Sequence, residues 1–95
     1  HLRPATAKEI LVRILRNLKN VYVQREDWVR TLACLDRILM ILPDEPEELR
    51  DRGLTYYRLE CFAPALRDIE SYLDLTPKDD EGAAAVRSLL PELLR

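Results

Sequence analysis

Few side chains of this sequence could perform covalent chemistry, and their spacing does not pair a nucleophile with a base. The cysteines are Cys34 and Cys61, and the single histidine is His1 at the free amino end. Nucleophilic catalysis by cysteine or serine needs a base within hydrogen-bond reach. No group of acids, cysteines and histidine has the spacing of zinc or calcium ligands, and no glycine-rich loop could hold a phosphate. We therefore expect no catalysis, no metal and no cofactor in this chain.

The residues that could bind a partner are bases and amides that recur along the first predicted helix. They form one polar stripe at helical period, which comprises Arg13, Arg16, Asn17, Asn20 and Gln24. A guanidinium can donate two parallel hydrogen bonds to a carboxylate, so these residue types suit an acidic ligand.

Charge is distributed unevenly along the chain. Residues 1–24 contain five bases and one acid, which gives +4, whereas residues 25–95 contain ten bases and sixteen acids, which gives −6. A basic first helix on an acidic body predicts an acidic peptide or carboxylate partner near the amino end. The alternative is that this helix packs against a segment that the sequence does not contain.

Composition indicates one small helical domain. The chain has 95 residues, is 47% hydrophobic and 34% charged, and contains two glycines. No apolar run approaches the roughly 20 residues that span a bilayer, so a membrane role is not expected. Cysteines without a disulfide framework fit a reducing cytoplasm. Because it starts at His1 rather than at methionine, we expect the chain to be a fragment of a longer one.

Capping and proline signals divide the apolar pattern into five helices. Thr6 and Glu9 form a capping-box pattern at the start of the first helix, which extends to about Val23. The later helices are predicted from Trp28 to about Leu42, from Pro46 to about Leu59, from the turn at Pro64 to just before Pro77, and from Gly82 to about Leu90 with Asp79 as the cap.

The first helix has an apolar face beside its polar stripe. Its apolar residues follow the i, i+3, i+4 spacing, and they are Ile10, Leu11, Ile14, Leu15, Leu18, Val21 and Tyr22. This pattern predicts a helix with a core side and a recognition side.

An internal repeat relates the second half of the chain to the first. Six pairs of similar residues share an offset of 34, and they are Tyr22/Tyr56, Trp28/Phe62, Leu32/Leu66, Leu35/Ile69, Leu39/Leu73 and Pro43/Pro77. This period and pattern resemble the tetratricopeptide repeat, a pair of antiparallel helices. The resemblance implies an all-α solenoid of two helical hairpins, at about 12–45 and 46–79, with a C-terminal capping helix at about 80–90.

The second repeat matches the pattern better than the first. Its matching residues are Gly53, Tyr56, Phe62, Ala65 and Pro77. Glycine inside a helix costs about 1 kcal/mol of propensity, so Gly53 predicts a close approach by a neighbouring helix. In the first repeat, Lys19 occupies the position of the small residue and Thr31 that of an alanine. We therefore expect the start of the first repeat to be less tightly packed than its end.

Three stretches resemble the C-terminal tail of the bacterial SirB-type family, which joins a transglutaminase-like domain to a short repeat tail. They lie at residues 15–19 (LRNLK), 48–53 (ELRDRG) and 90–93 (LPEL). The resemblance implies that a transglutaminase-like domain lies outside this sequence. Any Cys-His-Asp chemistry would reside in that domain.

In tetratricopeptide proteins the first helices of successive repeats line a concave groove. The equivalent residues predict a partner-binding groove of Arg13, Arg16, Asn17, Asn20, Gln24, Arg50, Asp51, Leu54, Tyr57 and Arg58, with Glu47 beside them. Some family members hold a terminal carboxylate with Lys, Asn and Arg, and Arg16 and Asn20 match two positions of that clamp. Asp51 replaces an asparagine of the clamp, and the capping helix offers Ala84 and Ala85 instead of bases, which argues against a true clamp.

Two readings of the groove stay open. It could bind an acidic or mixed-charge protein segment, or its arginines could pair internally with Glu47 and Asp51. The chain as a whole is predicted to be a protein-interaction or interdomain module. The alternative is a structural tail that packs on the absent domain or associates with a second copy. Nucleic acid is disfavoured because the chain is acidic and lacks a broad basic patch.

Overall fold

The structure is a computed structural model, and it describes residues 3–94. Its helices are α1 Ala7–Gln24, α2 Trp28–Ile41, α3 Pro46–Arg58, α4 Phe62–Asp74, α5 Glu81–Arg87 and the short α6 Leu90–Leu93. They pack in sequence, with α1 on α2, α2 on α3 and α3 on α4, while α5 and α6 cover one side of α4. The described part of the chain contains no strand, which confirms the all-α helical-hairpin prediction.

Side-chain caps define where several helices begin. The Thr6 hydroxyl accepts a hydrogen bond from the backbone N–H of Glu9 at 3.1 Å, and the Asp27 carboxylate does the same for Arg30. The prediction that Asp79 caps the last helix is wrong, because Asp80 accepts from the N–H of Ala83. Both aspartates can cap, and only the path of the turn selects between them.

The tightest helix contact joins α3 and α4 at Gly53. A Cβ atom added at Gly53 would lie 2.7 Å from Ile69 Cδ1 and 3.3 Å from the carbonyl oxygen of Ala65. The absence of a side chain therefore lets the two helices approach, as the sequence predicted. The main core surrounds this contact, and its buried residues are Leu39, Leu49, Ala65, Ile69, Tyr72, Ala83, Val86 and Leu93.

A forked ion pair lies beside this contact. The Arg52 guanidinium donates two hydrogen bonds to Asp68, at 2.7 and 2.9 Å, and a third to Asp36 at 3.2 Å. The hydrogen bond to Asp68 is the main cause that raises the pKa of Arg52 above its ordinary value. Since Asp36 lies on α2 and Asp68 on α4, one α3 side chain connects three helices. Asp68 is buried, so loss of Arg52 would leave its charge uncompensated.

The first helix packs on α2 and is joined to α3 by ion pairs. Arg16 binds Glu48 at 2.6 Å and Lys19 binds Asp51 at 3.0 Å, one helical turn apart. Only Val12 and Leu15 of α1 are buried. They pack with Ile38 in a small core of their own. Because α2 has five buried residues and α1 only two, the expected looser packing at the start of the first repeat is confirmed.

The prediction that the apolar face of the first helix is buried in the core is wrong for most residues of that face. Of that side only Leu15 is buried and Tyr22 half-buried, whereas the others are exposed, namely Ile10, Leu11, Ile14, Leu18 and Val21. The periodic pattern shows that this face is apolar, but it does not show what covers it. The remaining helices cover the adjacent side of α1, which carries Val12, Leu15 and Lys19.

Replacement of Gly53 by alanine tests the close approach of α3 and α4. Alanine gains about 1 kcal/mol of helix propensity, but overpacking against buried Ile69 costs about 1–3 kcal/mol. We expect a net loss of about 1 kcal/mol in the free energy of unfolding, measured by urea denaturation. Gly82→Ala is the matched control, because the same methyl group there meets only the side chains of Asp80 and Tyr72. A Gly53→Ala variant more stable than the parent would contradict the close approach.

Candidate functional site

The candidate site is a cavity between the end of α1, the start of α2 and the end of α3. We call it the groove cavity; its volume is ≈ 490 Å³. Its lining residues are Lys19, Asn20, Val23, Trp28, Thr31, Asp51, Leu54, Thr55, Tyr57, Arg58 and Leu89. The wall combines apolar side chains with amide, hydroxyl and charged groups, as protein-binding and ligand-binding clefts do.

Half of the predicted groove residues meet in this cavity. They are Asn20, Asp51, Leu54, Tyr57 and Arg58.

The other predicted residues lie elsewhere. Arg16 and Arg50 line a second cavity of ≈ 470 Å³ beside the start of α3 and the end of α4. Arg13 and Asn17 line a third, of ≈ 590 Å³, between α1 and the end of α2, where Arg16 also contributes. Gln24 lines none of the three. The predicted set therefore spreads over several surfaces.

Arg16 binds within the chain. Its guanidinium lies 2.6 Å from Glu48 and 3.7 Å from Glu45. The Glu48 side chain is only 3% exposed, so this contact is a structural tie between α1 and α3. The hydrogen bond to Glu48 raises the pKa of Arg16 above its ordinary value. The internal partners of Arg16 are therefore Glu48 and Glu45, whereas the sequence suggested Glu47.

Asp51 neutralises two cations. Its carboxylate lies 3.0 Å from Lys19 Nζ and 3.1 Å from Arg50 Nη2. Burial works to lower the pKa of Arg50, but the charge and hydrogen bond of Asp51 raise it above its ordinary value. The internal-pairing alternative is thus correct for Asp51. A partner carboxylate would have to compete with Asp51 for Lys19.

Arg58 differs from Arg16 and Arg50 because its described contact is with an aromatic ring and not with a carboxylate. Its guanidinium carbon lies 4.6 Å from the centre of the Trp28 ring, which is cation–π geometry. Arg58 is exposed, and no carboxylate of residues 3–94 pairs with it. Its donors therefore face solvent at the edge of the groove cavity.

Tyr57 connects the cavity to the end of the chain. Its hydroxyl donates a hydrogen bond to the carboxylate of Glu92 on α6. Its ring packs edge-on against Phe62, with ring centres 5.8 Å apart. Phe62 itself is 44% exposed. Tyr57 thus positions α6 beside the cavity.

Sequence reasoning missed several lining residues, namely Lys19, Val23, Trp28, Thr31, Thr55 and Leu89. The sequence contained a signal for Lys19. A base at the repeat position of a small packing residue must direct its charge toward an acid or solvent, which places it at a surface or a cavity. Trp28 carried none, since its place in the repeat indicates packing. The groove was predicted from first helices alone, whereas the start of α2 also forms its wall.

Two features of the described residues bear on catalysis, namely metal-ligand clusters and the buried thiol of Cys34. Among residues 3–94 no group of three or more His, Cys, Asp or Glu side chains could hold a metal ion. His1 lies outside the described residues. Cys34 is buried, and its burial raises the pKa of the thiol, which makes it a poor nucleophile. Within the same part of the chain, the helices are too short or too polar to cross a membrane.

Comparison with curated proteins gives several bacterial relatives. A UPF0162 protein of Xylella fastidiosa (strain Temecula1) is 51% identical over 76 residues, which are 80% of this chain and 27% of that protein. A UPF0162 protein of Vibrio cholerae is 34% identical over 79 residues, or 83% of this chain and 29% of the relative. Protein SirB1 of Salmonella typhimurium is 32% identical over 78 residues, which are 82% of this chain and 29% of that protein. The chain thus spans less than a third of the relatives' length.

A family model described as tetratricopeptide repeat matches residues 18–91. No solved structure matches the chain significantly. The matched segment runs from the last turns of α1 to the start of α6, so it contains α2, α3, α4 and α5 completely. The fold is one that generally serves as a non-catalytic protein-interaction module. This chain belongs to the tetratricopeptide-repeat family and is similar to the UPF0162 and SirB1 proteins of bacteria.

Proposed function

We propose that this chain is a protein-interaction module that binds a segment of a partner protein in the groove cavity. The observation that supports this most is the convergence of five predicted groove residues around one opening of ≈ 490 Å³. The fold family generally binds proteins or peptides, and the cavity is wide enough for side chains of an extended segment. Catalysis has no part in this proposal.

The chemistry of the cavity favours a segment with one acidic and one apolar side chain. Arg58 can donate to a carboxylate while it stays stacked on Trp28. Stacking uses the face of the guanidinium group and leaves the N–H groups at its edge accessible. Asn20 adds amide donors and acceptors to the lining. Leu54 and Val23 supply apolar wall for a neighbouring side chain. A mixed segment therefore fits better than a uniformly acidic one, because Asp51 already pairs with Lys19 and competes with ligand carboxylates for it.

We further propose that the complete polypeptide is cytoplasmic and joins this module to a transglutaminase-like domain. The relatives extend far beyond the matched segment, which leaves room for such a domain. The exposed Cys61 and buried Cys34 are both free thiols, which fits a reducing compartment. A complete sequence without paired catalytic-type Cys and His residues outside this segment would contradict the domain assignment, and recovery from a periplasmic fraction would contradict the location.

Loss of Arg58 should weaken peptide binding strongly. The probe is an array of eight-residue peptides that combine Glu or Asp with Leu, Ile or Phe, followed by titration of the best binder. Trp28 is the single tryptophan and lines the cavity, so its fluorescence should report binding directly. We expect Arg58→Ala to raise Kd by roughly tenfold, as for loss of a charge-assisted hydrogen bond.

Arg67→Ala is the matched control, because it removes an exposed arginine of α4 that lines none of the three cavities. It should leave Kd unchanged. Equal effects of the two variants would indicate nonspecific attraction and would refute the site. An array without any binder would refute the proposed function.

Asparagine at position 51 should strengthen the binding of the same peptide. Asp51→Asn removes the charge that neutralises Lys19, so this base of the groove cavity becomes available to a carboxylate of the peptide. We expect Kd to fall by several-fold at low salt, with the gain reduced above about 0.5 M salt because exposed charges are screened. Asp74→Asn, an exposed acid of α4, is the control for net charge. Weaker binding by Asp51→Asn would show that Asp51 contacts the ligand directly.

A further inference from the structure

The outward side of α1 carries a continuous apolar strip that the described chain does not cover. We call it the α1 seam, and its residues, each 41–51% exposed, are Ile10, Leu11, Ile14, Leu18 and Val21. Scattered exposed apolar residues are ordinary on a protein surface, but a contiguous strip of this kind marks an interaction site. The seam lies apart from the groove cavity, since none of its residues lines that cavity.

The spacing of the seam fits a helix as its partner. Leu11, Ile14, Leu18 and Val21 alternate steps of three and four residues, which is the a/d pattern of helices that pack side by side. The side chains that tie α1 to α3, Arg16 and Lys19, lie on a different side of α1. The seam is therefore available to an added helix without displacement of α3.

The size of the seam argues against a separate protein as its partner. Its exposed area is on the order of 400 Å², about half of what one partner of a stable complex buries. A small patch binds durably when its partner is tethered, because linkage within one polypeptide gives an effective concentration of about 1 mM or more. The seam is thus better suited to intramolecular contact.

The charges around the seam argue against a second copy. Lys8, Arg13 and Arg25 lie within one or two turns of seam residues, and none pairs with a carboxylate of residues 3–94. Two α1 helices packed antiparallel would place Lys8 near both Arg25 and Glu26 of the other copy, and Arg13 of each copy adds positive charge that Glu26 does not balance. An occupant with acidic residues beside its apolar strip would be attracted.

We propose that the α1 seam is covered by an amphipathic helix, flanked by acidic residues, from another part of the same polypeptide. The curated relatives supply the length for it, because the matched segment is only 27–29% of their chains. This contact would join the repeat module to the rest of the protein and leave the groove cavity open. The inference does not depend on the function proposed for the groove.

Thiol labelling of the complete polypeptide tests this contact with mild substitutions. Ile14→Cys places a thiol in the middle of the seam, and Met40→Cys is the control at an apolar α2 residue that is 81% exposed and outside the seam. Both are made with Cys61→Ser, since Cys61 is exposed. Maleimide labelling rates are compared between the 95-residue chain and the complete polypeptide.

In the 95-residue chain both thiols should react rapidly. In the complete polypeptide Ile14→Cys should react at least tenfold more slowly, whereas Met40→Cys should not change, and Leu18→Asp added to Ile14→Cys should restore rapid labelling. Equal rates for Ile14→Cys in the two chains would overturn the proposal. So would a natural polypeptide of only 95 residues, or protection in the 95-residue chain that grows with concentration and accompanies a dimer in sedimentation.

Discussion

The fold depends on two adjacent contacts between α3 and α4. At Gly53 the absence of a side chain lets Ile69 pack against the backbone of α3. Next to it, Arg52 donates two hydrogen bonds to Asp68, the residue before Ile69. The first contact fixes how closely the helices approach, and the second fixes their register, because a bidentate pair is sensitive to displacement. Since Arg52 also reaches Asp36, the same point positions α2. The main core, which α5 and α6 complete, is organised around these contacts.

The first repeat lacks the equivalent contact. Lys19 stands 34 residues before Gly53, and its long charged side chain turns to Asp51 on α3. Ion pairs therefore join α1 to α3, while a small core of Val12, Leu15 and Ile38 packs it on α2. The Lys19–Asp51 pair lies at the groove cavity, whereas the α1 seam lies on another side of the helix and stays exposed.

The sequence predicted the architecture well because the 34-residue period records packing that recurs in both hairpins. Leu35 and Ile69, for example, are repeat equivalents and are both fully buried. The groove was predicted less well. Long charged side chains choose partners that the fold brings near, and Glu48, the partner of Arg16, is 32 residues away. The apolar face of α1 was assigned to the core because periodicity identifies an apolar face but not the surface that covers it.

We infer that stability is concentrated in the second hairpin, because α1 packs on α2 through only a small core and contacts α3 through ion pairs. Amide hydrogen exchange of the 95-residue chain measures this directly, because local opening and global unfolding give different protection. We expect amides in the middle of α3 and α4 to exchange roughly tenfold or more slowly than those in the middle of α1. Added salt should widen the difference by weakening the pairs of Arg16 and Lys19. Equal protection of α1 and α3 at low and high salt would contradict the account.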